Sequence, residues 1–515
     1  MRDRRRRIDK LNTLLFGKDL RITEGDVFPT VYEYDYSSYY PENDYICDDV
    51  IPEENIFDIR SYGADESNED NAPFIQKAVD DASKSKGIVV VSGGEFVTTT
   101  VFLKSDVTLF IQRGSALSAN KTGEGYNHKG VLHCDSQNNV TLTGGGKVKG
   151  NGEYFGRKPL LDKNVTQHSE YIDVIEMRRT ARAQIRFAHE SKYGGVIYIK
   201  DCKNFKADNF IIENSAHWSF RIENCDGVEI KNFVINNNRH VANADGFDIA
   251  GSSNVDISHC FVSTSDDGIC IKNAIWLGCK GEMKNISVRD CEVISCANSF
   301  KIGTETTYDI SDVTVEDCRF YMTDIYPGTV SGIAVESADG SKIKNVNAKN
   351  IYMDRVTCPI FIRLCNRNRA STVDSQSANA VEFGQKKKKA FSAPKQQFFQ
   401  KGSICDISIS DVKAENVEIP IILAGYRQGK KTFYPSNITL ENIKLDYAPY
   451  KEVYDKRAFI PEYATVYPES WRFRNLPASG IWARHIKRLS VVNFECSPPR
   501  STWKKETVME DIINE

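Results

Sequence analysis

The stretch from Asn243 to Lys272, NADGFDIAGSSNVDISHCFVSTSDDGICIK, decides the fold. It states one phrase twice: a carboxylate, a glycine and a short alternating apolar run, as D-G-F-D-I from Asp245 and D-D-G-I-C-I from Asp266. A carboxylate and glycine before alternating apolar residues read as a turn entering a strand. If the chain coils with that period, the two phrases stack and Asp245, Asp266 and Asp267 gather on one face. Paired carboxyl groups are the equipment for protonating a leaving oxygen and activating water at a glycosidic bond. Asp and Gly are also ordinary turn residues, and a lone D-G would be read as nothing more. Adjacent Asp266 and Asp267 repel each other, a cost that a turn does not require. Asp248 stands three steps from Asp245, so strict strand alternation puts it on the opposite side, as a structural residue.

Outward from this stretch, a repeat of apolar-x-apolar strands becomes legible. Copies begin near Phe205, Val228, Val255, Ile286, Val313, Ile343, Ile407 and Ile438, with Asn recurring in the turns at Asn204, Asn232, Asn254, Asn285, Asn345 and Asn437. Most intervals are roughly 23–31 residues, inside the range that marks arrays and solenoids. Short strands with Asn and Gly turns and no helices between them point to an all-β fold, a parallel β-helix. The fixed Leu positions of leucine-rich repeats are absent, and a propeller needs about four strands in each repeat. One long interval marks an insertion at 366–403, rich in Ser, Gln and Ala and carrying Lys386 to Lys389, which reads as a mobile loop.

Upstream, Ala72 to Lys84 has Ile75, Ala78, Val79 and Ala82 on one helical face, followed by the apolar run Gly87 to Val91. A short amphipathic helix there can cover the open end of a solenoid. Residues 1–52 read as an N-terminal extension, 53–496 as the β-helix and 497–515 as a C-terminal tail. The excursion Leu160 to Tyr193 carries Arg178, Arg179, Arg182 and Arg186, either a carboxylate- or sugar-binding loop or a solvated basic one. Trp471, Arg472 and Arg474 sit in a C-terminal segment whose aromatic and cationic side chains suit a glycan pocket.

The chain resembles glycoside hydrolase family 28, the polygalacturonase-like enzymes on pectinase-type β-helices, over roughly residues 55 to 495. That family's N-T-D motif is matched by Asn243-Ala244-Asp245, and its D-D-G-x-x-I-K motif by Asp266 to Lys272 without a gap. The opening around Gly63-Ala64-Asp65 is similar to the family's N-terminal cap. Two other motifs are replaced: G-H-G by Ala297-Asn298-Ser299, and R-I-K by Ala334-Val335-Glu336. The resemblance implies a right-handed parallel β-helix and an inverting glycoside hydrolase, with Asp266 as general acid and Asp245 and Asp267 activating water. It also implies that the cation expected to hold a galacturonate carboxylate is gone. Lys301, Arg363 and Arg182 are the cations that could replace it; otherwise the sugar is neutral or differently linked. Neighbouring coils should bring His217, Trp218, His240, Lys272, Asn298, Lys301, Glu305, Glu336 and Arg363 to the substrate.

Composition bounds the alternatives. Hydrophobic residues make up 40% of 515, enough for a long core, and the net charge of −3 gives no reason to expect nucleic acid as a partner. No apolar run reaches the length of about 18 residues that a membrane helix needs. The 14 Cys, with no export-type segment after Arg2 to Arg7, read as free thiols in a reducing compartment, hence a cytoplasmic enzyme unless a leader has been lost. Cys202, Cys225, Cys260, Cys291 and Cys318 fall at matching repeat positions and should stack. No C-x-x-C pair, phosphate loop or His/Cys spacing suggests a metal or cofactor. The expected partner is an oligosaccharide or polysaccharide, with exo-action on short chains the reading that extra loops able to block one end of the groove fit; oligomeric state is not readable. A polysaccharide lyase using Ca²⁺ on the Asp cluster, and a non-catalytic glycan-binding β-helix, are the competing classes.

Overall fold

The computed structural model describes residues 45–47, 49–154, 156–159, 187–189, 193–239, 241, 243–322, 329–367, 401–448, 459–473, 476–498 and 504–514. The terminal arginines, Arg178 to Arg186, His240, Arg474 and most of the 366–403 insertion lie outside the described residues.

The chain folds as a right-handed parallel β-helix, with 27 strands joined in one continuous parallel sheet. Each central coil contributes a short strand and a longer, bent one, as in Phe220–Glu223 and Asp226–Asn236. Alternation of side chains puts one row inside. On the short-strand face Phe220, Phe247, Ile269, Phe300 and Ile333 align from coil to coil, and Ile222, Ile249, Ile271, Ile302 and Val335 align two residues further on. Both rows are buried, in a core that runs the length of the solenoid. Burying each such side chain stabilises the fold by about 1.5–3 kcal/mol. Phe233 meets Phe210 at 5.9 Å and Phe220 and Phe247 at 5.8 Å between ring centres, a knot of aromatics below the central coils.

The turns explain the recurrent Asn. Asn204, Asn232, Asn254, Asn285, Asn345 and Asn437 all adopt left-handed backbone angles, with φ between 48° and 58°. Asn tolerates that conformation better than most residues. Its amide then bonds along the solenoid, as in Asn254 to Asp226 at 2.6 Å, Asn285 to Asn254 at 2.8 Å and Asn345 to Asp312 at 2.6 Å.

The helix Ala72–Ala82 caps the first coils, with Ile75, Ala78, Val79 and Ala82 fully buried as the periodicity predicts. Asp70 accepts the Ala72 amide at 2.9 Å and Pro73 occupies the first turn, which together start the helix.

Three expectations need correction. The repeat position assigned to Ile343 belongs to Val346, which pairs with Val313 before it and Ile407 after it; Ile343 pairs with Ile310, a second apolar residue three places earlier. The cysteines form two stacks and not one. Cys260 lies beside Cys291, which precedes Cys318 in the same row, while Cys202 sits at a different corner, its sulfur 3.5 Å from that of Cys134. The 497–515 tail contributes a rung: Lys505–Ile513 pairs in parallel with Ala478–Ser497. Of the N-terminal extension, Tyr45 and Ile46 are buried against Val234, Phe261, Ile294 and Met322.

Phe233→Ala should lower the free energy of unfolding by about 3–5 kcal/mol, the usual cost of deleting a core aromatic. A urea titration followed by circular dichroism reads this directly, and a loss under about 1 kcal/mol would show that the aromatic knot does not hold the central coils.

Candidate functional site

The site lies where short strands follow their turns on one face. Coil stacking fixes its rows. Gly246 donates to the Asp267 carbonyl and Gly268 to that of Asn298, while Ser219 donates to that of Asp245. Trp218, Asp245, Asp267 and Asn298 therefore form one row across four coils. Asp267, and not Asp266, is the residue stacked on Asp245; Asp266 stands one step ahead. The glycine after each carboxylate lets the coils approach. A Cβ on Gly246 would lie 2.3 Å from the Gly268 carbonyl oxygen, and one on Gly268 would lie 2.6 Å from that of Ser299.

Carboxylate oxygens of Asp245, Asp266 and Asp267 converge within 4.8 Å of one another. They open on a cleft of about 250 Å³, lined also by Trp218, Asn243, Lys272, Trp276, Leu277, Glu305 and Tyr467. Asp266 is pinned through its backbone: its carbonyl accepts from Thr264 at 2.8 Å and Ser295 at 2.6 Å. The register slips between Ile271–Ile302 and Asn273–Thr306, and the extra residues carry Glu305 to the cleft.

Three carboxyl groups so close, Asp245 and Asp267 buried and Asp266 half-buried, cannot all ionise unaided. Two lysines from successive strands enter between them. Lys272 pairs with Asp248 and lies 3.4 Å from Asp245, its ammonium 4.1 Å from the centre of the Trp218 ring. Lys301 lies 3.2 Å from Asp267, 3.9 Å from Glu336 and 4.0 Å from Glu469, beside the Tyr467 hydroxyl at 3.4 Å. Burial would discharge both lysines, but the surrounding acids outweigh it and hold them charged, well above the ordinary value.

The carboxyls split. Burial pushes Asp267 up, but Lys301, then Lys272 and the Asn298 amide at 2.8 Å, outweigh it and hold the group below its ordinary value. Asp245 goes the other way: burial and the neighbouring Asp248 raise it well above that value despite Lys272. Burial takes Asp248 up to about 7 and Glu469 likewise to about 7, and Glu336 is raised too, by burial and by Glu469 against the pull of Lys301. One cluster thus holds an ionised carboxylate beside carboxyls that keep their protons, the division that acid and base roles require.

Asp248 does not face away from Asp245. Asp245 sits in the turn before the strand Phe247–Ala250, where alternation has not begun, so both residues reach Lys272. Among the expected binding residues, Trp218, Lys272 and Glu305 line the cleft. Asn298 and Lys301 stand behind Asp267 and hold it. Glu336 is fully buried behind Lys301, and His217 is buried against Trp218 with ring centres 5.4 Å apart. Arg363 is a correction: it is buried, donates to the carbonyls of Ala424, Gly425 and Tyr463, lies over Phe473, and serves to pin the 459–473 segment. Trp471 and Arg472 stack on each other at 4.6 Å and do not line the cleft, whereas Tyr467 of the same segment does and Glu469 reaches Lys301. Tyr467, Glu469, Trp276, Asn243 and Arg367 are what sequence reasoning missed; Arg367 pairs with Asp339 and lies 3.6 Å from Glu305.

Lys272→Met leaves Asp245 and Asp248 buried without their cation. Breaking such a pair commonly costs about 3–5 kcal/mol. Asp248 is raised in the folded chain, so folded protein binds its proton more tightly than unfolded protein does, and stability falls as pH rises toward and through about 7. Removing the ammonium that opposes this shift steepens the fall. The variant's deficit in a urea titration should therefore be larger near pH 8 than near pH 5, and a pH-independent deficit would count against the paired arrangement.

Comparison with known proteins agrees with this geometry. Residues 81–385 match the family described as Glycosyl hydrolases family 28. An endo-polygalacturonase of Pectobacterium carotovorum subsp. carotovorum is 25% identical over 386 residues, covering 72% of this chain and 83% of the relative. A polygalacturonase of Persea americana is 24% identical over 319 residues, 59% of this chain and 60% of its own. Among solved structures, an exopolygalacturonase from Thermotoga maritima superposes with a TM-score of 0.58 at 17% identity, over 88% of this chain and 94% of that one. The family 28 exopolygalacturonase of Yersinia enterocolitica gives 0.57 at 17% identity, over 89% and 78%. With the matched region spanning more than half of its length and enclosing the carboxyl cluster, this chain belongs to glycosyl hydrolases family 28 and is a glycoside hydrolase.

Proposed function

We propose that the enzyme hydrolyses a pectin-type glycan with inversion, removing sugars from the end of an oligosaccharide chain. The single observation that carries the reading is the split carboxyl cluster: Asp267 held ionised by Lys301 beside Asp245 and Asp266 within 4.8 Å. Asp266 protonates the leaving oxygen as its bond to the anomeric carbon breaks. A water held by Asp245 and Asp267 attacks that carbon and yields its proton to Asp267. Trp218, Trp276 and Tyr467 supply ring faces for the sugar. The cleft volume of about 250 Å³ is below the roughly 300–1,000 Å³ of most small-molecule sites, which favours a chain end over a long bound polymer. The polygalacturonase relatives supply the pectin-type substrate class.

One observation favours a second reading. Inverting pairs usually stand about 6.5–9.5 Å apart and retaining pairs about 5–5.5 Å. The separation here, within 4.8 Å, fits retention if Asp267 attacks as a nucleophile. Inversion rests on the family resemblance, with two carboxyls sharing one water on the same side of the bond.

Reducing-sugar release from a panel of pectic oligosaccharides should fall about 10²–10⁴-fold in Asp266→Asn and in Asp267→Asn, the usual contribution of a general acid or base. Asp266→Asn should unfold at a temperature near that of the wild type, whereas Asp267→Asn breaks the buried pair with Lys301 and should unfold lower. Proton NMR of the first product anomer separates the mechanisms: opposite configuration supports inversion, and the same configuration replaces it with double displacement. Unchanged turnover in Asp266→Asn would remove the proposed acid.

A further inference from the structure

We infer that the sugar held against the carboxyl cluster is neutral: the subsite takes a hydroxylated, uncharged glycosyl residue and rejects a uronate. This deepens the hydrolase reading above and rests on it for its place beside the cleaved bond.

The charge lining the cleft is the first observation. Asp245, Asp266, Asp267 and Glu305 face it against one ammonium, that of Lys272. Three cations at or behind the cleft each already face two or more acids. Lys272 lies between Asp245 and Asp248. Lys301, only 2% exposed, faces Asp267, Glu336 and Glu469. Arg367 pairs with Asp339 and Glu305. A uronate entering here would add its negative charge beside Asp267 and the other lining acids with no cation among the described residues released to meet it, and like charges brought that close disfavour each other.

Hydrogen-bond capacity is the second. Asp245 lines the cleft and has one buried carboxyl oxygen without a donor, and the side-chain oxygen of Asn298 behind it is in the same condition. A buried oxygen left without a donor is completed by one. Sugar hydroxyls donate, while an ionised carboxylate brings only further acceptors. Third, Glu336 sits fully buried beside Lys301 with neither carboxyl oxygen accepting a hydrogen bond. It puts an acid, and no cation, on the strand next to Lys301.

The test uses full-length enzyme and glycosides matched in everything except the sixth carbon: galactoside with galacturonide and glucoside with glucuronide, each in both anomers, with a rhamnoside added. The best substrate should be neutral, with kcat/KM at least about tenfold above its uronide partner, since a misplaced polar or charged group in a built site commonly costs that much or more. Binding of the free neutral sugars and uronates to wild type, followed by NMR line broadening, should show the same order without any turnover. Glu305→Gln removes one acid from the cleft lining, leaves Arg367 with one acid fewer, and should narrow the ratio in favour of the uronide. A uronide turned over or bound as well as its neutral partner, including no detectable difference between them, overturns the inference. Faster cleavage of a uronide leaves the hydrolase reading intact while ending this one. Neutral sugars that bind selectively and are never cut do the reverse.

Discussion

Neighbouring strands of a sheet lie about 4.7–4.9 Å apart. In a parallel solenoid that spacing sets each side chain directly over its counterpart in the next coil. For apolar rows it is an advantage, and the Phe220, Phe247, Ile269, Phe300 row is its product. For the Asn turns it yields amides that bond from coil to coil. For carboxyl groups it is a burden, because Asp245 over Asp267 places two acids one strand spacing apart in a buried setting, where they cannot both ionise freely. Lys272 and Lys301, each one strand along, are the response, and each needs further acids to keep its own charge buried. The charged lattice under the cleft follows from the coil spacing.

That constraint explains what could be read from the chain and what could not. The repeat was legible because the apolar rows and turn residues are local signals, and the capping helix because four apolar residues share one face. The acids were legible because two turn phrases resemble each other. Their register was not: the separation of Asp245 from Asp266 looks like one coil, yet the pairing of Phe247 with Ile269 makes Asp267 the stacked residue. Asp248 was misplaced because alternation was carried back through a turn in which the backbone does not alternate. Tyr467 and Glu469 come from a segment some two hundred residues downstream, and nothing local announces that Ser470 docks on Ser331 at 3.1 Å and carries them in.

The departures from the family's motifs form a connected set. Asn298, in place of the expected His, grips Asp267 through both its backbone and its side chain. Ala334, in place of the expected Arg, joins an apolar patch with Cys358, Phe361, Phe473 and Trp482. Glu336, in place of the expected Lys, faces Lys301, which stands on the preceding coil. The positive charge has moved inward by one coil and turned from the ligand toward the carboxyl cluster. The acids are kept while their surroundings are rebuilt, so that hydrolysis and sugar recognition are separable here.

The pairing of Lys342 with Ser403 and of Val346 with Ile407 shows that the chain resumes its register directly after the long insertion. Each rung bonds only to the rungs beside it, so what the chain does between leaving one coil and rejoining the next does not alter the alignment of either. Excursions of any length can thus be exchanged at such a corner while the acid row stays fixed, and the architecture behaves as a rack on which recognition loops are interchangeable parts.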